Sequence, residues 1–375
     1  YRPTLFDFLA HNALEFYKKN ETHITKPTYQ FKLDNEDFKF DSLEVFHQGK
    51  YNGKWRPFQL AFILMNLEGL INPESNEREI VDLIWFPTGG GKTEAYLGLT
   101  ALTILFRRYN RAELLEDDYY SGTVALMRYT LRLLTAQQFE RASSLICSLE
   151  IIRRDISNGS ELGIDPISIG LWVGGSSSPL YNKGAVMAYK DLLKKSNAQY
   201  PFIVLKCPCC AAQIGKIKSK RIIKGLSHED SSIYFKCENQ FCEFYEYRLP
   251  LYVIDEQIYS ISPTLLIGTV DKFAMLSWKI ESGTIFGYRD DEPNVKPPEL
   301  IIQDELHLIS GPLGSMVGLY ESLISSLCKL NNECSPKTVA ATATISRAFE
   351  QVQSLYAIKS KDQLHIFPSQ GLEFG

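Results

Sequence analysis

The stretch from Ile80 to Tyr109 restricts this chain more than any other: an apolar, β-branched run (IVDLIWF), then PTGGGKT, then apolar residues at helical spacing. A buried strand that turns through three glycines into a helix leaves few architectures open, and each places the loop at the C-terminal edge of a sheet. Consecutive backbone N–H groups in such a loop form a cradle for phosphate. Gly89, Gly90, Gly91 and Lys92 supply it here, Thr88 precedes it, Lys92 reaches towards the β- and γ-phosphates, and Thr93 is a ligand for Mg²⁺. The generic phosphate-loop pattern has glycine where this chain has Phe86, so PTGGGKT is the part that matches. A glycine-rich turn without a ligand is the bland alternative.

A nucleotide site of this kind needs an acidic residue at the end of another strand. LIIQDELH, from Leu300 to His307, provides Asp304 for the metal and Glu305 to orient or deprotonate an attacking water, since one carboxylate cannot easily serve both ends. Gln303 interrupts the apolar run. Taken alone, an Asp-Glu pair after a strand is as readily a solvated loop.

PTGGGKT, DELH and ATATI (Ala341 to Ile345) in this order resemble motifs I, II and III of superfamily 2 helicases of the DEAD/DEAH class. WRPFQ (Trp55 to Gln59) resembles the Q motif, MRYTLRLLTAQQ (Met127 to Gln138) motif Ia, and IGTVDKFAML (Ile267 to Leu276) motif Ib. More narrowly, WFPTGGGKTEAYLGLTA, MRYTLRLLTAQQFERA, IGLWVGG, IGTVDKFAMLSW and IIQDELHLISGPLGSMVGLYE resemble the helicase subunit of the DISARM anti-phage defence system, over about residues 50 to 375. The resemblance implies a RecA-like P-loop lobe that uses ATP and Mg²⁺. Arg56 and Gln59 would serve the adenine, His307, Thr342 and Thr344 would couple nucleotide to strand, and Arg128, Arg132, Gly174, Gly175, Thr269, Asp271 and Lys272 would meet nucleic acid. The expected partners are DNA, single-stranded or duplex with a single-stranded end, and a defence-system subunit.

Thr93 and Asp304 lie far apart for two strands of one lobe, which points to an insertion. Cys207 and Cys210 form a CxxC, and Cys237 and Cys242 a CxxxxC. Four thiolates in two pairs suit tetrahedral Zn²⁺ in a structural role, because they leave no open coordination position. Cys209 stands inside the first pair as a competing ligand, and an iron–sulfur cluster or unligated thiols remain alternatives. Between the pairs, KIKSKRIIK carries five cations in nine residues. On one strand face they would suit a phosphate backbone, and a solvated hairpin reads as well.

The expected fold is therefore α/β. It comprises an N-terminal extension over 1–50 of unreadable function, a RecA-like lobe over 51–204 and 251–375 with a parallel sheet, and a zinc-ribbon-like insertion over 205–250. The net charge of −4 confines nucleic-acid binding to a local groove, and the longest apolar runs fall short of a membrane span. The cysteine pattern fits a reducing cytoplasm.

No segment resembles the second-lobe motif that carries an arginine finger, an element worth roughly 10³ to 10⁵ in rate in related NTPases. The chain alone is thus expected to bind ATP weakly and hydrolyse it poorly. Besides a defence motor, two readings stand: a stand-alone repair-type helicase, and a nucleotide-gated scaffold that binds nucleic acid without translocating.

Overall fold

The structure, a computed structural model, describes residues 55–86, 91–110, 120–130, 132–157, 161–175, 178–195, 197–217, 222–229, 231–288, 295–330, 334–343 and 348–369. The expected N-terminal extension lies outside the described residues.

In chain order, α1 (Pro57–Ile71) leads through a short 3₁₀ turn to β1 (Val81–Trp85), followed by α2 (Lys92–Tyr109), β2 (Ala125–Tyr129), α3 (Arg132–Ser157), β3 (Ile169–Trp172) and α4 (Asn182–Lys194). Four short strands come next: β4 (Gly215–Lys216), β5 (Ile223–Lys224), β6 (Leu226–Glu229) and β7 (Ser232–Phe235). The chain then forms β8 (Leu251–Tyr252), α5 (Asp255–Ile261), β9 (Leu265–Thr269), two 3₁₀ segments (Val270–Ser277 and Ile280–Phe286) and β10 (Leu300–Gln303). It closes with α6 (Gly311–Leu330), β11 (Lys337–Thr342), α7 (Ala348–Tyr356) and β12 (Leu364–Phe367).

Eight strands make one sheet in the order β12-β1-β11-β10-β2-β9-β3-β8, with every pairing parallel. This is the RecA-like α/β lobe that the motif order implies. Strands buried on both faces must be apolar at successive positions, and β2, β9 and β10 are buried at every residue. Alternation sends their side chains into two layers. Ile84, Met127, Ile302 and Ala341 join the core beneath α2 and α3, while Leu83, Leu126, Ile301 and Ala340 face the layer of α5, α6 and α7.

The consequence for function is positional. In an all-parallel sheet the C-terminal ends of the strands share one edge, where ligands gather. That edge carries Phe86, Tyr129, Gly174, Val270, Asp304 and Ala343.

Between α4 and β8, two antiparallel pairs, β4–β5 and β6–β7, surround four cysteines. This region is continuous with the main core. Cys207, Cys209, Cys237 and Cys242 belong to the apolar cluster that includes α3, Ser144 Oγ donates to Pro208 O at 2.9 Å, and the Arg154 guanidinium lies 4.6 Å from the centre of the Phe244 ring. Among the described residues no helix is long and apolar enough to cross a membrane.

Candidate nucleotide site and cysteine cluster

The phosphate loop begins where β1 runs out at Trp85, and helix α2 starts at Lys92. Thr88, Gly89 and Gly90 lie outside the described residues. Gly91 sits at φ 95° as the residue preceding the helix, a conformation that side chains disfavour, and a Cβ there would come within 2.7 Å of Gln59 Nε2. The positive φ is what favours glycine here, since the Gln59 amide can swing aside.

Gln59 reads its own neighbourhood from the start of α1. Its Oε1 accepts from Arg56 N at 2.9 Å, closing the helix end, while its Nε2 donates to Gly91 O at 2.9 Å. One side chain therefore ties α1 to the end of the phosphate loop. Arg56 is exposed beside it.

Lys92 bridges two strands. Its ammonium donates to Phe86 O at 2.7 Å and to Thr342 O at 3.0 Å, joining the loop after β1 to the end of β11. Burial pushes its pKa below the usual lysine value, against the pull of Asp304 and Glu305 in the opposite direction.

Asp304 is held by a phenol absent from the sequence reading. Tyr96, wholly buried one turn into α2, donates to Asp304 Oδ2 at 2.6 Å, and the Thr93 Oγ1 lies 3.0 Å from the same phenolic oxygen. Tyr129 Oη is 3.4 Å away. The spacing held the signal: Tyr96 is three residues beyond Thr93, so both occupy one helix face. Burial pushes the Asp304 carboxyl above its ordinary range, opposed by the Tyr96 hydroxyl and the Glu305 amide.

Glu305 adopts φ 51°, a left-handed conformation that costs a non-glycine residue about 1 kcal/mol or more. Its amide donates to Asp304 Oδ1 at 2.8 Å. Beyond it, His307 Nδ1 lies 3.4 Å from Glu305 Oε2 and 3.4 Å from Thr342 Oγ1. Glu305, His307 and Thr342 thus form a chain of contacts from the DELH turn to β11. Thr344 lies outside the described residues. Gln303, the polar interruption, is fully buried and donates to Arg128 O at 3.3 Å and Asp304 O at 2.9 Å, so its carboxamide stitches the ends of β2 and β10 together.

Lys92, Thr93, Asp304, Glu305, His307 and Thr342 are therefore brought together at one edge. Thr93 and Asp304 offer hard oxygen donors around a shared phenol, a donor set suited to Mg²⁺.

The residues expected at nucleic acid divide into two groups. Arg128 is buried in an ion pair with Glu321 of α6, and its guanidinium faces the Phe273 ring at 5.8 Å. Lys272 donates to Asp255 Oδ2 at 2.6 Å, and Thr269 is wholly buried. Arg128 and Lys272 thus tie elements together from within, and all three side chains are buried. Gly174, at φ 87° with open space where a Cβ would stand, Gly175 and the exposed Asp271 lie at the surface of the same edge. The side chain of Arg132 lies outside the described residues.

The four expected cysteine ligands converge. The Sγ atoms of Cys207, Cys210, Cys237 and Cys242 all lie within 4.8 Å of one another, with 3.9 Å between Cys207 and Cys242 and 3.4 Å between Cys210 and Cys237. Tetrahedral thiolates about 2.3 Å from a metal stand about 3.8 Å apart, so this cluster could hold one ion. Cys209, buried alongside, is outside the quartet. Asn239 N donates to Cys237 Sγ at 3.4 Å, a bond that supports thiolate character.

Comparison with curated proteins gives DISARM protein DrmA of Bacillus paralicheniformis, 38% identical over 360 residues, which take in 86% of this chain and 31% of that protein. The chain is a homologue of DrmA. It spans about a third of the relative's length. Among solved structures, the DUF1998 helicase MrfA aligns with 86% of this chain and 32% of its own at 12% identity and TM-score 0.45. The RNA-bound Mss116p aligns with 79% and 40% at 11% identity and TM-score 0.40. No protein-family profile matches the chain. The DrmA match runs across most of a chain in which the candidate nucleotide edge and the cysteine quartet occur together.

Proposed function

We propose that this chain is the nucleotide-binding lobe of an ATP-driven nucleic-acid motor of the superfamily 2 type, acting on DNA in anti-phage defence with a partner subunit. The observation that supports it best is the convergence of Lys92 from the start of α2, Asp304 from the end of β10 and Thr342 from β11, with the Lys92 ammonium bridging the ends of β1 and β11. The DrmA homology supports the defence setting.

In this reading Gly89, Gly90, Gly91 and Lys92 take the phosphates, with Thr88 at the loop's entry, and Arg56 and Gln59 take the adenine. Thr93 and Asp304 hold Mg²⁺, which neutralises phosphate charge when bound. Tyr96 fixes the Asp304 oxygen that would otherwise rotate. Glu305 accepts a proton from the attacking water, its carboxylate placed by the left-handed turn. His307 stands between Glu305 and Thr342, so a shift at the DELH turn is felt at the end of β11, and Thr344 continues that path. Gly174, Gly175, Asp271 and Arg132 meet the strand, while Arg128, Thr269 and Lys272 set the elements from which it is met. The cysteine quartet holds Zn²⁺ and fixes the segment 205–250, as part of a first lobe running over 51–375.

The test is ATP turnover by the full-length protein that carries this lobe and by its Lys92→Ala variant. Loss of an electrostatic phosphate contact of this kind lowers turnover on the order of 10² to 10³-fold. Turnover undiminished in the variant would place hydrolysis elsewhere.

A further inference from the structure

Glu94 and Arg141 meet beside the phosphate loop. Glu94 stands in the first turn of α2, two residues after Lys92, where the helix dipole favours an anion. Its Oε2 lies 3.5 Å from the point where a Cβ on Gly91 would stand, so the carboxylate rests against the last glycine of the loop. Its Oε1 accepts from Arg141 Nη2 of α3. Arg141 also donates to Gln138 Oε1 at 3.4 Å, one turn earlier on its own helix.

The pair stands on the Asp304 side of the loop. Burial and the Asp304 carboxylate push the Tyr129 phenol's pKa up, while the bond to Tyr96 and the Arg141 guanidinium draw it down. Arg141 is thus within electrostatic reach of the corner where Tyr129, Tyr96, Thr93 and Asp304 meet. Water reaches it as well. The side chains of the Lys337–Asp82 pair are each 2% exposed and those of Arg128 and Glu321 are 2% and 8% exposed, whereas Arg141 is 31% and Glu94 15% exposed. A partly exposed ion pair contributes little to stability, because water screens it and two long side chains must be held still. Its partners can therefore exchange at small cost.

From this arrangement we propose that Arg141 is a phosphate-binding residue of the nucleotide site, held by Glu94 until the terminal phosphate of ATP takes that carboxylate's place. The proposal rests on the nucleotide-lobe reading and adds to it a cation from a helix outside the phosphate loop. A planar guanidinium matches two phosphate oxygens as well as it matches a carboxylate, and a triphosphate brings more negative charge. Glu94 occupies the same field at the start of α2 that a phosphate would use, so the two anions compete for one cation. Arg141 lies towards Asp304, the side on which sites of this kind place the outermost phosphate, and that assigns it to the γ-phosphate. ADP lacks this group and leaves Arg141 on Glu94. The ion pair thus separates the two nucleotide states.

The experiment titrates a non-hydrolysable ATP analogue, and separately ADP, into the full-length protein that carries this lobe, by calorimetry with Mg²⁺ present. Wild type is compared with Arg141→Ala, Arg141→Lys, Glu94→Gln and the double variant Arg141→Ala with Glu94→Gln. Loss of a charge-assisted phosphate contact weakens the analogue about 10- to 100-fold in Arg141→Ala, with ADP affinity nearly unchanged. Arg141→Lys keeps the charge without the fork and falls between. Glu94→Gln removes the competing anion and tightens the analogue several-fold, an effect that vanishes in the double variant. Glu94→Gln, which keeps the shape of the side chain, decides the question where Arg141→Ala does not fold. A pair that only joins α2 to α3 would change both nucleotides alike or neither, or would make Glu94→Gln weaken the analogue. Any of these results overturns the role of Arg141 and leaves the nucleotide-lobe reading standing, whereas wild-type protein that binds neither nucleotide overturns both.

Discussion

At the scale of residues, the account turns on one phenol. Tyr96 reaches Asp304 at 2.6 Å and lies 3.0 Å from Thr93 Oγ1, so it orients one candidate metal ligand while touching the other. Groups of this kind, one bond removed from a metal, are worth about 10- to 100-fold in metal affinity. Tyr96→Phe keeps the ring in the core and deletes only the hydroxyl. It should raise the Mn²⁺ concentration needed to saturate the nucleotide-bound protein about tenfold, followed by electron paramagnetic resonance of the free ion, with the fold intact by circular dichroism. Unchanged Mn²⁺ affinity would reduce Tyr96 to a packing residue. Glu305 makes a similar point about conformation: its left-handed backbone is a cost accepted where a carboxylate must be aimed.

At the scale of elements, the cysteine segment is fastened to the lobe. Its apolar side chains share a cluster with α3, and Ser144 and Arg154 of that helix contact Pro208, Phe244 and Tyr247. Stripping a bound metal with a chelator should therefore loosen residues 205–249 and the contacting turns of α3, while β1, β10 and β11, in the middle of the sheet, keep their protection. Hydrogen exchange read by mass spectrometry distinguishes this from a quartet of free thiols, for which the chelator changes nothing. The convergence of the quartet was legible from sequence, because two close pairs of cysteines suit a single shared ion. The strand, loop and helix around Gly91 were legible for the same reason, since apolar spacing and glycine act locally. Arg128 was not. Its motif position places it near a strand end, but its direction is decided by Glu321, distant in sequence on α6, and by the burial of β2 on both faces.

At the scale of the whole molecule, the parallel sheet does most of the organising. It delivers the end of β1, the carboxylates after β10, Thr342 from β11 and the Gly174 turn after β3 to a single edge. The candidate nucleotide residues gather at the ends of β1, β11 and β10, and β2, with its buried Arg128–Glu321 pair, separates them from β9 and β3. The central proposal is that this edge couples ATP turnover, through the DELH turn, to a bound nucleic-acid strand. The most direct test is ATP turnover by the full-length protein that carries this lobe, with and without single-stranded DNA, set against Glu305→Gln. The account predicts that DNA accelerates turnover in the wild-type protein, and that Glu305→Gln loses this turnover while still binding nucleotide. Turnover indifferent to nucleic acid, or undiminished in Glu305→Gln, would contradict it.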